Sequence, residues 1–292
     1  MSRNGIHAER ERLLLGTIQC LTHVLESSTG GIMTEYKLIQ CEKHFDGAVL
    51  KIVLNAPKAN VLEAAMIGEI RAAIEPLYED TGLKLLVFEG AGKHFSFGAS
   101  VPEHTKDRAA MMLNAFHGMF LDVICLAVPT MAIVRGQCLG GGMELAIFCN
   151  FIVADSTAMF GQPEIVLGVF PPPASIILPK KVGQAYADDL ALTGRSVSAE
   201  EGHRIGLVNL LGGEGEDPWA VASKWIEKHI IPKSSACLRI ANRAVRMDFF
   251  RRLLEDLPRM EGLYLKELME THDANEGINA FIEKRQPAWK GE

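Results

Sequence analysis

The sequence contains neither a CxxC pair nor a cluster of cysteines and histidines at the spacing of metal ligands. Its six cysteines are scattered along the chain, at positions 20, 41, 125, 138, 149 and 237. This distribution predicts no bound metal. We therefore expect six reduced thiols in a cytoplasmic protein, with Cys138 as a small buried residue rather than a nucleophile.

Long apolar runs and an excess of basic charge are also missing. No apolar stretch reaches the roughly 20 residues that a membrane-spanning helix needs. The formal net charge is −6, from 30 Lys and Arg against 36 Asp and Glu. An acidic balance argues against general nucleic-acid binding, although it leaves room for a local basic pocket. We expect neither a membrane nor a nucleic acid as a partner.

The first 32 residues do not follow the pattern of a secretory signal. Acidic residues interrupt their start, and Gln19, Thr22 and His23 interrupt the apolar stretch that follows. No clean small-residue cleavage site comes after it. We expect residues 1–32 to form an N-terminal extension, helical or disordered, ahead of a compact domain.

The remaining chain is long enough to bury a substantial core. Strand patterns alternate with helix patterns through its first two thirds, as in the buried run "LKLLVFEGAG" and the helix pattern "RAAMMLNAFHGMFLDVICL". This alternation predicts an α/β fold with parallel strands over residues 33–215. Residues 216–292 show only helical patterns, and a helical region of this size often packs on another subunit.

A run of three glycines stands in the segment "CLGGGMELAIFCN", from Cys138 to Asn150. A helix that begins at Gly141 or Gly142 presents unpaired N–H groups and the positive end of its dipole. Glycine also lets a ligand atom approach the backbone closely. The turn suits a phosphate, or an oxygen that becomes negative during a reaction. A plain strand-to-helix turn is the alternative.

Two glutamates follow these glycines. Glu144 lies in the first helical turn, where the helix dipole alone favours a carboxylate. Glu164 lies twenty residues downstream in "MFGQPEIVLGVF", and one helix and two short strands can return the chain to Glu144. Two carboxylates beside one oxyanion site would form a general acid/base pair. The tight turn at Gly98 and Ala99 follows a strand and is the candidate second donor, unless it is a plain loop.

Four separated segments resemble the crotonase (enoyl-CoA hydratase/isomerase) superfamily and occur in the family order. They are "KHFSFGASVPEH", "VRGQCLGGGMELAIFCNFIVADSTAMFGQPEIVLGVFPP", "LTGRSVSAEEGHRIGLVN" and "INAFIEKRQPAW". The resemblance implies a spiral of ββα turns with a helical oligomerisation region. It also implies a homotrimer or hexamer, an acyl-CoA thioester substrate, and no cofactor beyond the coenzyme A of that substrate.

The same resemblance implies a role for each residue at the glycine turn. The amides of Ala99 and Gly141 would form the oxyanion hole for the thioester oxygen. Glu144 would hold the attacking water and Glu164 would deliver a proton to carbon. An acid that acts near neutral pH needs a raised pKa, most simply through burial against apolar neighbours.

The sequence departs from simple hydratases at two places. Ser100 stands where an aspartate is usual, and "FPPPAS" stands where a glycine-rich stretch is usual. The prolines fix φ and would stiffen the pocket wall, which suits a flat ring. This pairing is similar to that of family members that convert cyclohexa-1,5-diene-1-carbonyl-CoA to 6-hydroxycyclohex-1-ene-1-carbonyl-CoA. The predicted pocket residues are Phe97, Ser100, His104, Phe170 and Pro172.

Two of the histidines have a competing interpretation as structural residues. His104 is either a pocket residue or a residue of the surface or of a helix start. His117 lies on an apolar helix and is expected to be a core residue.

The contacts to coenzyme A rest on fewer residues. Lys58 and Asn60 lie in "NAPKAN", which matches a family loop near the nucleotide, and Lys284 lies in "FIEKR" near the C-terminus. Solvated surface charge is the alternative for both lysines.

Three other functions stay open. The first is a generic 2-enoyl-CoA hydratase or isomerase, and the second is a CoA-thioester hydrolase. The third is a non-catalytic scaffold that binds acyl-CoA or RNA.

Overall fold

The structure is a computed structural model that describes residues 36–56 and 58–292. The expectation for residues 1–32 lies outside this range. Nine strands and ten α-helices are present in the described residues. The strands are β1 (Ile39–His44), β2 (Val49–Leu54), β3 (Leu85–Gly90), β4 (Thr130–Val134), β5 (Gln137–Leu139), β6 (Phe151–Ala154), β7 (Met159–Gly161), β8 (Ser196–Ser198) and β9 (Leu210–Leu211).

Helices separate most of these strands along the chain. They are α1 (Ala64–Ile74), α2 (Ala109–Leu126), α3 (Gly141–Phe148), α4 (Pro172–Val182), α5 (Gln184–Thr193), α6 (Ala199–Arg204), α7 (Pro218–His229), α8 (Ser235–Val245), α9 (Met247–Lys266) and α10 (His272–Ile282). The predicted α/β class is confirmed.

Within residues 36–56 and 58–292, the larger sheet has six strands in the order β1-β2-β3-β4-β6-β9. Only β1 pairs antiparallel with its neighbour, and the other pairs are parallel. Every residue of β2, β3 and β4 is buried, because α1 and α2 cover one face and α7 covers the other. Helices on both faces explain why these strands read as continuous apolar runs.

A smaller sheet of β5, β7 and β8 stands beside it. Strand β5 is parallel to β7 and forms an isolated parallel bridge from Cys138 to Ser96. The segment that contains Ser96 is bridged on its other side, where Ala99 pairs with Leu62. These pairings bring residues 96–99 directly against the strand that leads into the glycine turn.

Helix α2 is apolar and 18 residues long, enough by length and composition to cross a membrane. It packs as a core helix instead, since Phe116, Met119 and Phe120 are among its buried residues. His117 is also buried, with 3% of its surface exposed, as predicted for a core residue.

After β9, the regular elements of the described chain are all helices, as the sequence pattern predicts, and residues 283–292 follow without a regular element. Helix α9 packs on α4 and reaches α2, and α10 packs on the short 3₁₀ segments Val101–His104 and Pro163–Leu167. The C-terminal helices therefore cover the part of the core that carries the second glutamate.

The cysteines depart in part from the expectation of six reduced thiols. Cys41, Cys138, Cys149 and Cys237 are free, and Cys138 is buried as predicted. Cys125 is disulfide-bonded, so the expectation is wrong for this residue. Sequence spacing does not show which sulfur atoms approach each other in space.

Candidate active site

The glycine turn joins β5 to α3. Gly140 precedes the helix with φ of 51° and ψ of −128°, a conformation that glycine adopts without steric cost. Its N–H donates to the Gly161 carbonyl oxygen at 2.9 Å, which fixes the turn on β7. A methyl group at Gly142 would lie 2.6 Å from the Ser96 Cβ. The helix start can therefore pack tightly against residues 96–99 only because this position is glycine.

Two backbone amides meet at this contact. A methyl group at Gly141 would lie 3.1 Å from the Ala99 amide nitrogen, and one at Gly98 would lie 3.0 Å from the Gly141 nitrogen. Among the described residues, neither the Ala99 nor the Gly141 N–H donates to another protein group. Two free amides at one helix N-terminus can stabilise an oxygen that gains negative charge.

Glu144 lies one turn into α3, with 5% of its surface exposed. Its Oε1 accepts the N–H of Ala174 at 2.9 Å. Burial raises the pKa of Glu144 to about 8, although the Ala174 N–H opposes the shift. Glu144 can therefore be either neutral or ionised in the neutral to mildly alkaline range.

Glu164 lies on the 3₁₀ helix Pro163–Leu167 and reaches back over the glycine turn. A methyl group at Gly140 would lie 2.8 Å from its Oε1. Gln162 is fully buried, and its amide nitrogen, in the orientation that satisfies both side chains, donates to both carboxylate oxygens at 3.0 Å. The pKa of Glu164 is raised well above its usual value, first by burial and then by the charge of Glu144.

The structure thus brings together Ala99, Gly141, Glu144 and Glu164, which are separated by up to 65 positions in the sequence. Two neighbouring carboxyl groups that cannot easily ionise together share one proton. The one with the lower pKa can act as a base while the other stays protonated as an acid. This arrangement can take a proton from water and deliver another to carbon.

The three prolines were expected to stiffen the wall of the pocket, and in the structure they also form the start of a helix. Pro171, Pro172 and Pro173 are buried, and Pro172 begins α4. Proline is well suited to the first turn of a helix, where an N–H has no partner. The turn they start carries Ala174, the residue whose N–H holds Glu144.

The predicted aromatic pocket residues have different environments. Phe170 is half-buried, and its ring meets the edge of Tyr264, with centroids 5.5 Å apart. Phe97 is 44% exposed, and its ring packs edge-on against His94 at 5.0 Å. Phe170 therefore belongs to the covered side of the site and Phe97 to its solvent side.

Ser100 and His104 are joined by a hydrogen bond between a side chain and the backbone. The His104 ring donates from Nδ1 to the Ser100 carbonyl oxygen at 2.8 Å. Burial lowers the pKa of His104, which favours its neutral form. Both residues belong to the turn that follows Ala99, so they shape the loop that carries that amide.

Asn60 corrects one of the predicted coenzyme A contacts. Its side chain is 2% exposed, and its Nδ2 donates to the carbonyl oxygens of Ala91, His94 and Phe95. Its Oδ1 accepts the Ala56 N–H at 3.1 Å. These bonds and its burial commit the side chain to bracing two loops against each other, so the amide is not available to a ligand.

Lys58 and Lys284 are both exposed. Each has a positive φ, 73° for Lys58 and 56° for Lys284, and so lies in a tight turn. Their role in binding coenzyme A stays a prediction.

Sequence reasoning missed Gln162 and Tyr264. Gln162 lies two positions before the predicted glutamate, and a polar residue directly after the strand Met159–Gly161 was its available signal. Tyr264 had no such signal, because a tyrosine on an amphipathic helix is ordinarily a packing residue.

Comparisons with known proteins show the family of the chain. The family model described as Enoyl-CoA hydratase/isomerase matches residues 44–292. The cyclohexa-1,5-dienecarbonyl-CoA hydratase of Thauera aromatica is 47% identical over 245 residues, which are 84% of this chain and 94% of that protein. The probable mitochondrial enoyl-CoA hydratase of Dictyostelium discoideum is 35% identical over 249 residues, which are 83% of this chain and 88% of that protein.

Solved structures give the same result for the fold. An enoyl-CoA hydratase/isomerase from Xanthobacter autotrophicus Py2 superposes with a TM-score of 0.75 at 29% identity, covering 87% of this chain and 100% of that one. The predicted crotonase-like architecture is confirmed, and with it the resemblance seen in the four sequence segments. The chain belongs to the enoyl-CoA hydratase/isomerase family of the crotonase superfamily.

Proposed function

We propose that this protein is a hydratase that adds water to a cyclic dienoyl-CoA thioester, cyclohexa-1,5-diene-1-carbonyl-CoA. The observation that carries a hydratase is the placement of two carboxyl groups with raised pKa beside two free amides. The ring is supported by the 47% identity to the Thauera aromatica hydratase of that name.

The first step forms the bond between oxygen and carbon. The thioester oxygen lies between the N–H groups of Ala99 and Gly141, and ionised Glu144 takes a proton from water. The water oxygen bonds to the ring carbon β to the thioester, and the displaced electron pair moves onto the thioester oxygen. A dienolate results, and each amide stabilises it by roughly 3 kcal/mol.

The second step protonates the ring. Protonated Glu164 gives its proton to the far end of the diene, and the electron pair returns from the thioester oxygen to the ring. The product, 6-hydroxycyclohex-1-ene-1-carbonyl-CoA, retains one double bond and carries the hydroxyl. The proton taken up by Glu144 passes to Glu164 and restores the pair, so the reaction consumes one water and no net proton.

The different pKa values of the two carboxyl groups support these roles. The Ala174 N–H favours the charged form of Glu144, whereas the charge of Glu144 disfavours a second charge on Glu164. Glu144 therefore ionises first and is the base, while Glu164 keeps its proton and is the acid.

The assembly, ligand contacts and location follow as further parts of the proposal. Exposed apolar residues on α8 and α9, with Ile240 at 66%, Val245 at 85% and Met247 at 66% exposure, suit a homotrimer or hexamer. Lys58 and Lys284 would bind phosphates of coenzyme A, which enters as part of the substrate. We place the protein in the cytoplasm, with no cofactor, membrane or nucleic-acid partner.

A product-resolved assay over a small panel of thioesters tests the function. The purified protein is incubated with the cyclic dienoyl-CoA, with crotonyl-CoA and with longer linear 2-enoyl-CoAs, and the products are separated and identified. We expect the hydroxylated ring as the main product and a clear preference for the cyclic substrate.

Two other outcomes would overturn parts of the proposal. A strong preference for crotonyl-CoA would identify a generic 2-enoyl-CoA hydratase and reject the ring assignment. Release of free coenzyme A, followed with a thiol reagent, would identify a thioester hydrolase in which Glu144 activates water toward the carbonyl carbon.

A further inference from the structure

Tyr264 is buried in α9, with 1% of its surface exposed. Its hydroxyl group has no hydrogen-bond partner among the described residues. Leaving a buried hydroxyl unpaired destabilises a protein, and native proteins rarely leave one in that state. Such a group is best explained by a partner that arrives with the ligand.

The surroundings of Tyr264 place it at the site already described. Its ring packs edge-on against Phe170, six residues after Glu164. After burial, the negative charges of Glu164 and then Glu144 raise the pKa of Tyr264. The phenol therefore interacts electrostatically with both carboxyl groups, yet neither of them accepts a hydrogen bond from its hydroxyl group.

Helix α9, which carries this tyrosine, is held in place by contacts with two other helices. Glu261, one turn before Tyr264, accepts a hydrogen bond from Nδ1 of His117 on α2 at 2.5 Å. The helix also packs along α4, the helix whose Ala174 holds Glu144. The phenol and the two carboxyl groups are thus parts of one connected frame.

We propose that the Tyr264 hydroxyl binds the oxygen atom that is added to the substrate, as the attacking water before the reaction and as the product hydroxyl after it. The unpaired hydroxyl and its position near both carboxyl groups carry this assignment. The proposal rests on the hydratase function proposed above, because it needs a reacting oxygen at that place.

The valence of water fits this arrangement. When one hydrogen of the attacking water goes to Glu144 and one lone pair goes to carbon, the oxygen keeps a second lone pair. The Tyr264 O–H can donate to that lone pair, and the phenol stays protonated because its pKa is raised. Glu144 and Tyr264 together would then orient the oxygen toward one face of the ring.

Tyr264→Phe tests the assignment, because it keeps the ring against Phe170 and removes only the hydroxyl. We expect kcat for hydration to fall about tenfold, as for the loss of one hydrogen bond to a reacting group. The unfolding temperature of the ligand-free protein should not fall, because an unpaired buried group is removed. Tyr186→Phe, at an exposed tyrosine of α5, is the matched control and should change neither quantity.

Binding of inert ligands separates this role from packing. In a Glu164→Gln background that slows turnover, affinities are measured for cyclohexanecarbonyl-CoA and for 2-hydroxycyclohexanecarbonyl-CoA. Tyr264→Phe should weaken binding of the hydroxylated ligand about tenfold and leave the other unchanged. An equal loss for both ligands would show a packing role, and no loss for either would remove the hydroxyl from the reacting oxygen.

The linear pair butyryl-CoA and 3-hydroxybutyryl-CoA keeps this test independent of the ring assignment. If the protein hydrates crotonyl-CoA and not the cyclic diene, the proposed substrate is wrong, but the linear pair still reports on Tyr264. Selective loss of 3-hydroxybutyryl-CoA binding would then uphold the assignment, and equal binding of this ligand to both proteins would overturn it.

Discussion

Glu144 and Glu164 carry the same chemical group on two very different parts of the molecule. Glu144 lies on α3, a helix in which all eight residues are buried. Glu164 lies on the five-residue 3₁₀ helix Pro163–Leu167, none of whose residues is fully buried. Its neighbours Ile165 and Val166 are 39% and 61% exposed.

The partners of the two carboxyl groups differ in the same way. Glu144 accepts from a backbone N–H at the start of α4, whereas Glu164 accepts from the side-chain amide of Gln162. A backbone donor inside the core holds the base in a fixed position. The Glu164 carboxyl group keeps its proton as an acid, because burial of that group and then the charge of Glu144 raise its pKa. The environment, and not the residue type, thus assigns the two roles.

The most direct test of the two different roles is to replace each carboxyl group in turn by a neutral amide. Glu144→Gln and Glu164→Gln should each lower kcat for hydration by about 10³-fold, because each removes one proton-transfer group. The residual activity should distinguish them, since Glu144→Gln should lose the acidic limb of the pH profile and Glu164→Gln the alkaline limb. Steady-state kinetics over the pH range would measure both effects. A variant that keeps a tenth of the activity would contradict its proposed role.

A milder change addresses only the partner of Glu164. Gln162→Leu removes the donor to the carboxylate and nearly preserves the buried volume, so the charged form of Glu164 loses stabilisation. Its pKa should rise further and shift the alkaline limb of the pH profile to higher pH, with about a tenfold loss of kcat from poorer orientation.

The acidic limb should stay in place in this variant, because Glu144 keeps its bond to Ala174. Gln184→Leu, at an exposed glutamine of α5, is the matched control and should leave both limbs unchanged. Movement of the acidic limb in Gln162→Leu would show that the two carboxyl groups are not held independently.

The better part of the core could be predicted from local signals. Strands β3 and β4 are continuous apolar runs because helices cover both faces of their sheet, and glycines mark the start of α3. The approach of Glu164 to Glu144 also followed, because one helix and two short strands return the chain by a short path. These features depend on periodicity and on short connections.

Other features could not be predicted because they depend on contacts between distant segments. Asn60 and Lys58 lie in one loop, yet the Asn60 amide is used by Ala91, His94 and Phe95. Tyr264 lies one hundred residues after Glu164, and its helical pattern predicts burial without saying against what. A local sequence pattern predicts neither the hydrogen-bond partners of a side chain nor the helix against which another helix packs.

The smallest expected effect is on the pH dependence of the stability of the folded protein. In this property the buried Glu144 should differ from an ordinary surface glutamate. The folded-state pKa of Glu144 is raised from 4.5 to about 8, so its neutral form favours folding. That stability is fully present below pH 4.5 and is lost as the pH rises through about 8. Glu144→Gln removes the loss, so its unfolding temperature relative to the unaltered protein should rise from pH 5 to pH 9. Thermal unfolding at pH 5 and pH 9 measures this difference in unfolding temperature, and Glu227→Gln on the exposed face of α7 is the control. If the difference changes with pH in the same way for both variants, the carboxyl group of Glu144 is not desolvated.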